Sequence, residues 1–216
     1  GSFYAPLKKV RQWSWESCWL VMGIAAWLLA PWCVALLTTS NLLTVLAASP
    51  PRAWTLCIVF GLLWGLGNLT FGLSVRYLGM ALGFAMALGF CMTFGTLMPP
   101  IVQGQIGSIL ATKSGLVTLG GVAVCLAGIA LCGWAGMSKE RELTDQQKRE
   151  TVSEFALGKG MAVAAAAGVL SACFAFGLAA GKPIAALSEA QGTHPVFRNT
   201  AVLVVILIGG FISNAV

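Results

Sequence analysis

Charge is what this sequence most lacks. Only 9% of its 216 residues are Asp, Glu, Lys or Arg, where a soluble domain carries about 25%. A chain so poor in charge cannot clothe a water-facing surface, which excludes an ordinary soluble fold. Acids are scarcest: of seven, five fall in residues 139–155, leaving only Glu16 and Glu189 near the ends of apolar stretches. No carboxylate pair is therefore available inside an apolar run for acid–base chemistry. The one histidine, His194, precedes Pro195 in a connecting segment, so no histidine cluster exists either. The seven cysteines (Cys18, Cys33, Cys57, Cys91, Cys125, Cys132, Cys173) form no CxxC pair and lie almost entirely in apolar runs. They read as small hydrophobes, with no zinc site or disulfide framework. GxSxG, HExxH and Walker patterns are missing as well, so neither an enzyme nor a cofactor is expected.

What is abundant is apolar length. Hydrophobic residues make up 58% of the chain, and its mean hydropathy is +0.86. About 20 residues of helix cross the roughly 30 Å of bilayer hydrocarbon. Six runs reach that length: A (16–37), B (54–74), C (79–100), D (115–136), E (159–180) and F (196–216). The spacing predicts an all-α, polytopic membrane helix bundle. The net charge of +6 is explained by orientation in the bilayer, and no nucleic-acid partner is expected. Nine basic residues (Lys8, Lys9, Arg11, Arg76, Lys139, Arg141, Lys148, Arg149, Lys159) fall on one side of the alternating connections and four (Arg52, Lys113, Lys182, Arg198) on the other. The richer side is expected to be cytoplasmic.

The opening GSFYAPLKKV reads as the end of an earlier helix, and the chain stops in run F, so a fragment is expected. The polar stretch 139–158 reads as a cytoplasmic linker between 1–138 and 159–216. Across it there is a short echo. Phe3 to Lys9 and Phe176 to Pro183 both run from an aromatic through small residues to lysine. Like motifs on opposite membrane faces are what an inverted repeat leaves.

Within run B, Gly61, Trp64, Gly65, Asn68 and Gly72 share one helical face. Asn68 facing lipid would leave an unpaired amide in hydrocarbon, so it must face protein or a wet cavity. Two readings stand: a hydrogen bond across a glycine-lined packing seam, or, with Trp64, a polar wall for a hydroxylated solute. Arg76 and Tyr77 end the run at the headgroups. In run C, Gly79, Gly83 and Ala87 form a small-residue seam, and Gly89, Thr93, Thr96 and Pro100 share another face. In run E, Ser171, Phe174 and Leu178 lead to Lys182, and Pro183 reads as a helix terminator. With no buried basic residue to hold an anion, a neutral polar solute fits best. Trp13, Trp15, Trp19 and Trp54 read as interfacial anchors; Trp64 lies deeper.

FYAPLKKVRQWSWE (3–16), WGLGN (64–68), RYLGMALG (76–83) and GTLMPP (95–100) resemble the bacterial L-rhamnose–proton symporter family of the drug/metabolite transporter superfamily. The resemblance is ordered to about residue 100 and looser beyond. It implies ten helices in two inverted five-helix repeats in the bacterial inner membrane, importing L-rhamnose with a proton. This chain then covers the end of helix one through helix seven. The central cavity the resemblance implies favours the cavity reading of Trp64 and Asn68. Thr93, Thr96 and Ser171 join them as expected sugar contacts, and Glu16, Lys182 and Glu189 are the expected proton-coupling candidates. The chain departs from the family pattern at Ala179 and Phe71, each lacking a hydrogen-bonding group, which leaves open a related deoxy sugar. The rival expectations are a carrier or exporter of another neutral metabolite and a non-transporting membrane scaffold.

Overall fold

The computed structural model describes residues 15–142 and 156–215. The motif at 3–9 and residues 143–155 of the expected linker lie outside them. The described residues are helical, with no strand among them. Six helical stretches are long and apolar enough to cross a membrane: Leu20–Thr38, Pro51–Leu78, Leu82–Val102, Lys113–Ala135, Leu157–Ala180 and Pro195–Ala215. They coincide with runs A to F.

The first span is built from α1 (Trp15–Gly23), a π-helical stretch (Ile24–Leu29) and α2 (Ala30–Thr38). Its widened turn has a local cause. Pro31 lacks an N–H, and its ring crowds the carbonyl four residues back, at Trp27. Ahead of it the Ala30 N–H bonds the Ala25 carbonyl, five residues back, which is the bulge that relieves such crowding. Next in the chain come α3 (Leu42–Ala48), α4 (Pro51–Leu78), α5 (Met80–Val102), α6 (Ile106–Ala111), α7 (Lys113–Glu142), α8 (Leu157–Ala180), α9 (Lys182–Ala190) and α10 (Thr200–Ala215). The short helices α3, α6 and α9 replace what sequence pattern alone reads as plain loops. Helix α8 ends at Ala180, ahead of Pro183 as expected, and Pro183 also opens the next helix. It sits in the first turn of α9, where its missing N–H has no intrahelical partner to lose.

The described chain divides into two compact units, one up to Leu62 and from Gly177 onward, the other Leu63–Phe176. In the first, α10 is the core: Ala201, Val202, Val204, Val205 and Ile206 are fully buried. It packs on α1, α2, α3 and α9. Lipid offers no hydrophobic drive for helices to associate, so close packing must supply it. Glycines make that possible. A Cβ on Gly61 of α4 would fall on the Ile206 carbonyl and lie 3.2 Å from Gly209 Cα. The Trp54 indole N–H donates to the Leu46 carbonyl at 3.0 Å and so caps the end of α3.

In the second unit Leu78, Met86, Ala87, Ile129, Leu157 and Ala164 form the core. Gly79 is the whole turn between α4 and α5, with φ of 78°, a backbone state that glycine alone adopts freely. Beyond the turn a Cβ on Gly83 would lie 2.7 Å from Val75 Cα, so α5 folds back tightly on α4. Helix α7 has two faces. Val122 and Ile129 are buried, whereas Val117, Val124, Leu131 and Trp134 are exposed, as a lipid-facing surface would be.

These contacts predict opposite outcomes for two glycines of α4. Gly61→Val, which must displace backbone, should lower the melting temperature of the full-length protein in detergent, with overpacking costing about 1–3 kcal/mol. Gly72 meets nothing within 4 Å, so Gly72→Ala should leave melting unchanged or raise it. Equal effects would contradict the packing described.

Candidate solute-binding site

Within the Leu63–Phe176 unit, three helices converge on Ser171. Gly67 of α4 lies against it: a Cβ there would be 3.1 Å from the Ser171 backbone nitrogen and 3.2 Å from its Oγ. One turn earlier on α8, a Cβ on Gly168 would lie 2.5 Å from Phe90 Cβ and 2.9 Å from the Cys91 nitrogen of α5. The Ser171 hydroxyl lies in hydrogen-bonding range of the Cys91 thiol. Two glycines thus let α8 approach both α4 and α5, with one small hydroxyl residue at the junction.

Trp64 and Asn68, one helical turn apart on α4, belong to this region. The Trp64 ring stands 5.2 Å from that of Phe174, tilted by 55°, and Phe174 lies one turn beyond Ser171 on α8. Both rings are half-buried. Asn68 is half-buried too, yet its Nδ2 is buried and has no hydrogen-bond partner. A buried polar atom left unpaired costs about 1–3 kcal/mol, and in a span no bulk water relieves it. The Asn68 Nδ2 is thus a buried donor without a partner among the described residues.

Thr93 and Thr96 lie elsewhere. On a helical grid they share the Gly89 face of α5, roughly opposite Cys91. Gly89 packs on α7, where a Cβ would come 2.7 Å from Ile129 Cγ1. Thr93 is buried and its hydroxyl donates to the Gly89 carbonyl at 2.9 Å; Thr96 is half-buried. The structure brings Trp64, Asn68 and Ser171 to neighbouring α4 and α8 surfaces and turns the two threonines toward the α7 side. Phe71 packs edge-on against Phe84 at 5.0 Å. Sequence reasoning missed Gly67 and Cys91. Their signal was present in WGLGN and in the pairing of Gly168 with Ser171, but only contact shows which glycine admits which neighbour.

The expected proton-coupling residues lie in the other unit. Lys182 and Glu189, on one face of α9, line an open pocket of about 440 Å³ together with Ala179, Arg198 and Asn199. The Arg198 Nη1 donates to Glu189 Oε1 at 3.2 Å. Glu16 falls in α1, and its side chain lies outside the described part. His194 has a local role: its Nδ1 accepts from the Val196 N–H at 3.3 Å, capping the turn at Pro195–Phe197.

Six helices long and apolar enough to span a bilayer, with no strand among the described residues, define a multi-pass α-helical membrane protein. The chain belongs to the L-rhamnose-proton symport protein family, whose model matches residues 1–216. It is 39% identical over 212 residues to an L-rhamnose-proton symporter of Cronobacter sakazakii, covering 98% of this chain and 60% of that relative. It is 38% identical over 212 residues to proteins of the same description from Escherichia coli and Yersinia pestis, again with 98% and 60% coverage. The chain thus spans 60% of the length of these curated relatives. No solved structure matches it.

If the Asn68 amide is held without a partner, removing it should not weaken the fold. Asn68→Leu in the full-length protein, without solute, is expected to melt at the same temperature or higher, by up to about 1–3 kcal/mol of recovered stability. A clear loss of stability would show that Asn68 bonds across a packing seam instead.

Proposed function

We propose that the full-length protein imports L-rhamnose together with a proton across the bacterial inner membrane. Family membership supports the substrate, since the relatives are described as L-rhamnose-proton symporters. The observation that carries the reading is the unpartnered Nδ2 of Asn68 beside the Trp64–Phe174 pair. A deoxy sugar is a neutral ring with an apolar C–H face and a rim of hydroxyls. An indole or phenyl face suits the first, and an amide donor suits the second. Trp64 and Asn68 are the proposed primary contacts, with Ser171 at the helix junction. Thr93 and Thr96 remain proposed contacts of a second rank, since Thr93 already donates to its own helix.

In this reading the chain forms part of a ten-helix inverted repeat. Residues 1–138 complete the first half, 139–158 form the cytoplasmic linker, and 159–216 begin the second half. Small-residue contacts such as Gly67–Ser171 leave helices free to shift without large side chains interlocking. No acid lies in the middle of a described span; the proposed proton-coupling candidates are therefore Glu16, Lys182 and Glu189 at span ends, the alternative being a group in the part of the full-length protein that this chain does not cover. Intramembrane ionisable groups ordinarily mark proton paths.

The test is uptake of labelled L-rhamnose by cells making the full-length protein, with unrelated sugars and metabolites as competitors. Uptake should be blocked by rhamnose and abolished by a protonophore. Asn68→Leu should lower kcat/KM by roughly 3–10-fold for one lost hydrogen bond of about 0.5–1.5 kcal/mol. Absent uptake, or uptake indifferent to the proton gradient, would overturn the reading. Competition by unrelated metabolites would indicate a carrier of another neutral solute.

A further inference from the structure

The pocket at α9 has features that proton coupling alone does not require. Lys182 and Glu189 are seven residues apart on α9 and so share a face two turns long. Ala186, between them, is also in the lining; its methyl leaves the space clear. The opposite face of α9 is fixed, with Ile184 and Ser188 fully buried. The segment after Pro195 is tied to α9 by the Arg198–Glu189 ion pair at 3.2 Å. Asn199, next in sequence, is part of the same lining. The result is a held rim of mixed donors and acceptors around about 440 Å³, within the roughly 300–1,000 Å³ of ordinary small-molecule sites.

The chemistry of that rim selects a class of ligand. A bound anion would gain from Lys182 and Arg198 but would face the Glu189 carboxylate. A neutral polyol uses both signs. Vicinal hydroxyls can donate to the carboxylate and accept from the guanidinium, the ammonium and the amide, and the alanine wall takes an apolar ring face. We propose that this pocket is an outer binding subsite for the neutral sugar, anchored by the Glu189–Arg198 pair with Asn199 and Lys182. The claim rests on the sugar-transport reading above. It also rests on the charge asymmetry that places the α8–α9 corner on the outer side.

Uptake kinetics of the full-length protein in proteoliposomes test it, with Asn199→Leu and Lys182→Met as variants. Both residues are exposed, so neither change should disturb the fold, and the melting temperature checks this. Asn199→Leu is expected to raise KM for L-rhamnose roughly tenfold, about one hydrogen-bonded group's worth of affinity. Its maximal rate and protonophore sensitivity should stay near wild type. Lys182→Met is expected to raise KM in the same direction. Wild-type uptake with KM unmoved in both variants overturns the subsite and leaves the transport reading intact. KM unmoved, combined with loss of a stabilisation given by phosphatidylglycerol to the wild type, makes the pocket a lipid-headgroup site and overturns the proposal. Wild type that takes up no rhamnose contradicts the transport reading itself and the subsite with it.

Discussion

Inside a bilayer no water is at hand to satisfy a polar group, and the rest of this structure depends on that constraint. Five hydroxyl groups in the spans meet it within their own helices. Thr70 donates to the Leu66 and Gly67 carbonyls, Ser74 to Phe71, Thr93 to Gly89, Thr118 to Ser114 and Ser213 to Gly210. A hydroxyl has one donor and can turn it onto a carbonyl one turn back. An asparagine amide has two N–H donors and a carbonyl, more than one turn of helix satisfies. Asn214 reaches the Gly210 carbonyl at 2.8 Å. Asn68 Nδ2 has nothing, and the other buried orphans among the described residues, Thr39 and Ser188, lie outside the spans. The exception within the hydrocarbon is therefore a single amide, and that makes it informative.

The same solvent removes the hydrophobic drive for helices to meet, so contact must come from shape. Gly67, Gly83, Gly89 and Gly168 each leave room that a Cβ would close to 3.2 Å or less. In the Leu63–Phe176 unit these glycines let α4, α5, α7 and α8 approach closely around the side chains of Leu78, Met86, Ile129 and Leu157. Such seams also set where polar groups can stand. Gly67 brings α4 against Ser171, and Asn68 is its next residue. The packing device and the proposed binding device are neighbours in sequence because one makes room for the other.

How much of this was legible beforehand differs by scale. The six spans are written in apolar length, and the RYLGM turn in a glycine that must take φ of 78°. Trp64 and Asn68 stand out because their chemistry is costly in lipid. The short helices α3, α6 and α9 were not legible. Segments of six to nine residues are too short to hold themselves by propensity, and docking decides them. Pro183 shows the same limit: it follows the end of α8 at Ala180 as expected, but that it also opens α9 depends on the residues after it finding a surface to dock on. The face of Thr93 and Thr96 needed tertiary contact too, since a threonine on a helix carries no sign of which neighbour it meets.

The proposed sugar recognition turns on the Asn68 amide, whose Nδ2 has no partner among the described residues, being a donor that a sugar fills. The most direct measurement is the nitrogen-15 and proton shift of the Asn68 side-chain NH2 in the full-length protein, assigned by its loss in Asn68→Leu. Titrated with L-rhamnose, the resonance should move in a saturable way toward the position of a hydrogen-bonded amide, and it should not move with an unrelated metabolite. A resonance already at the bonded position without sugar, or one that L-rhamnose leaves in place, would contradict the claim.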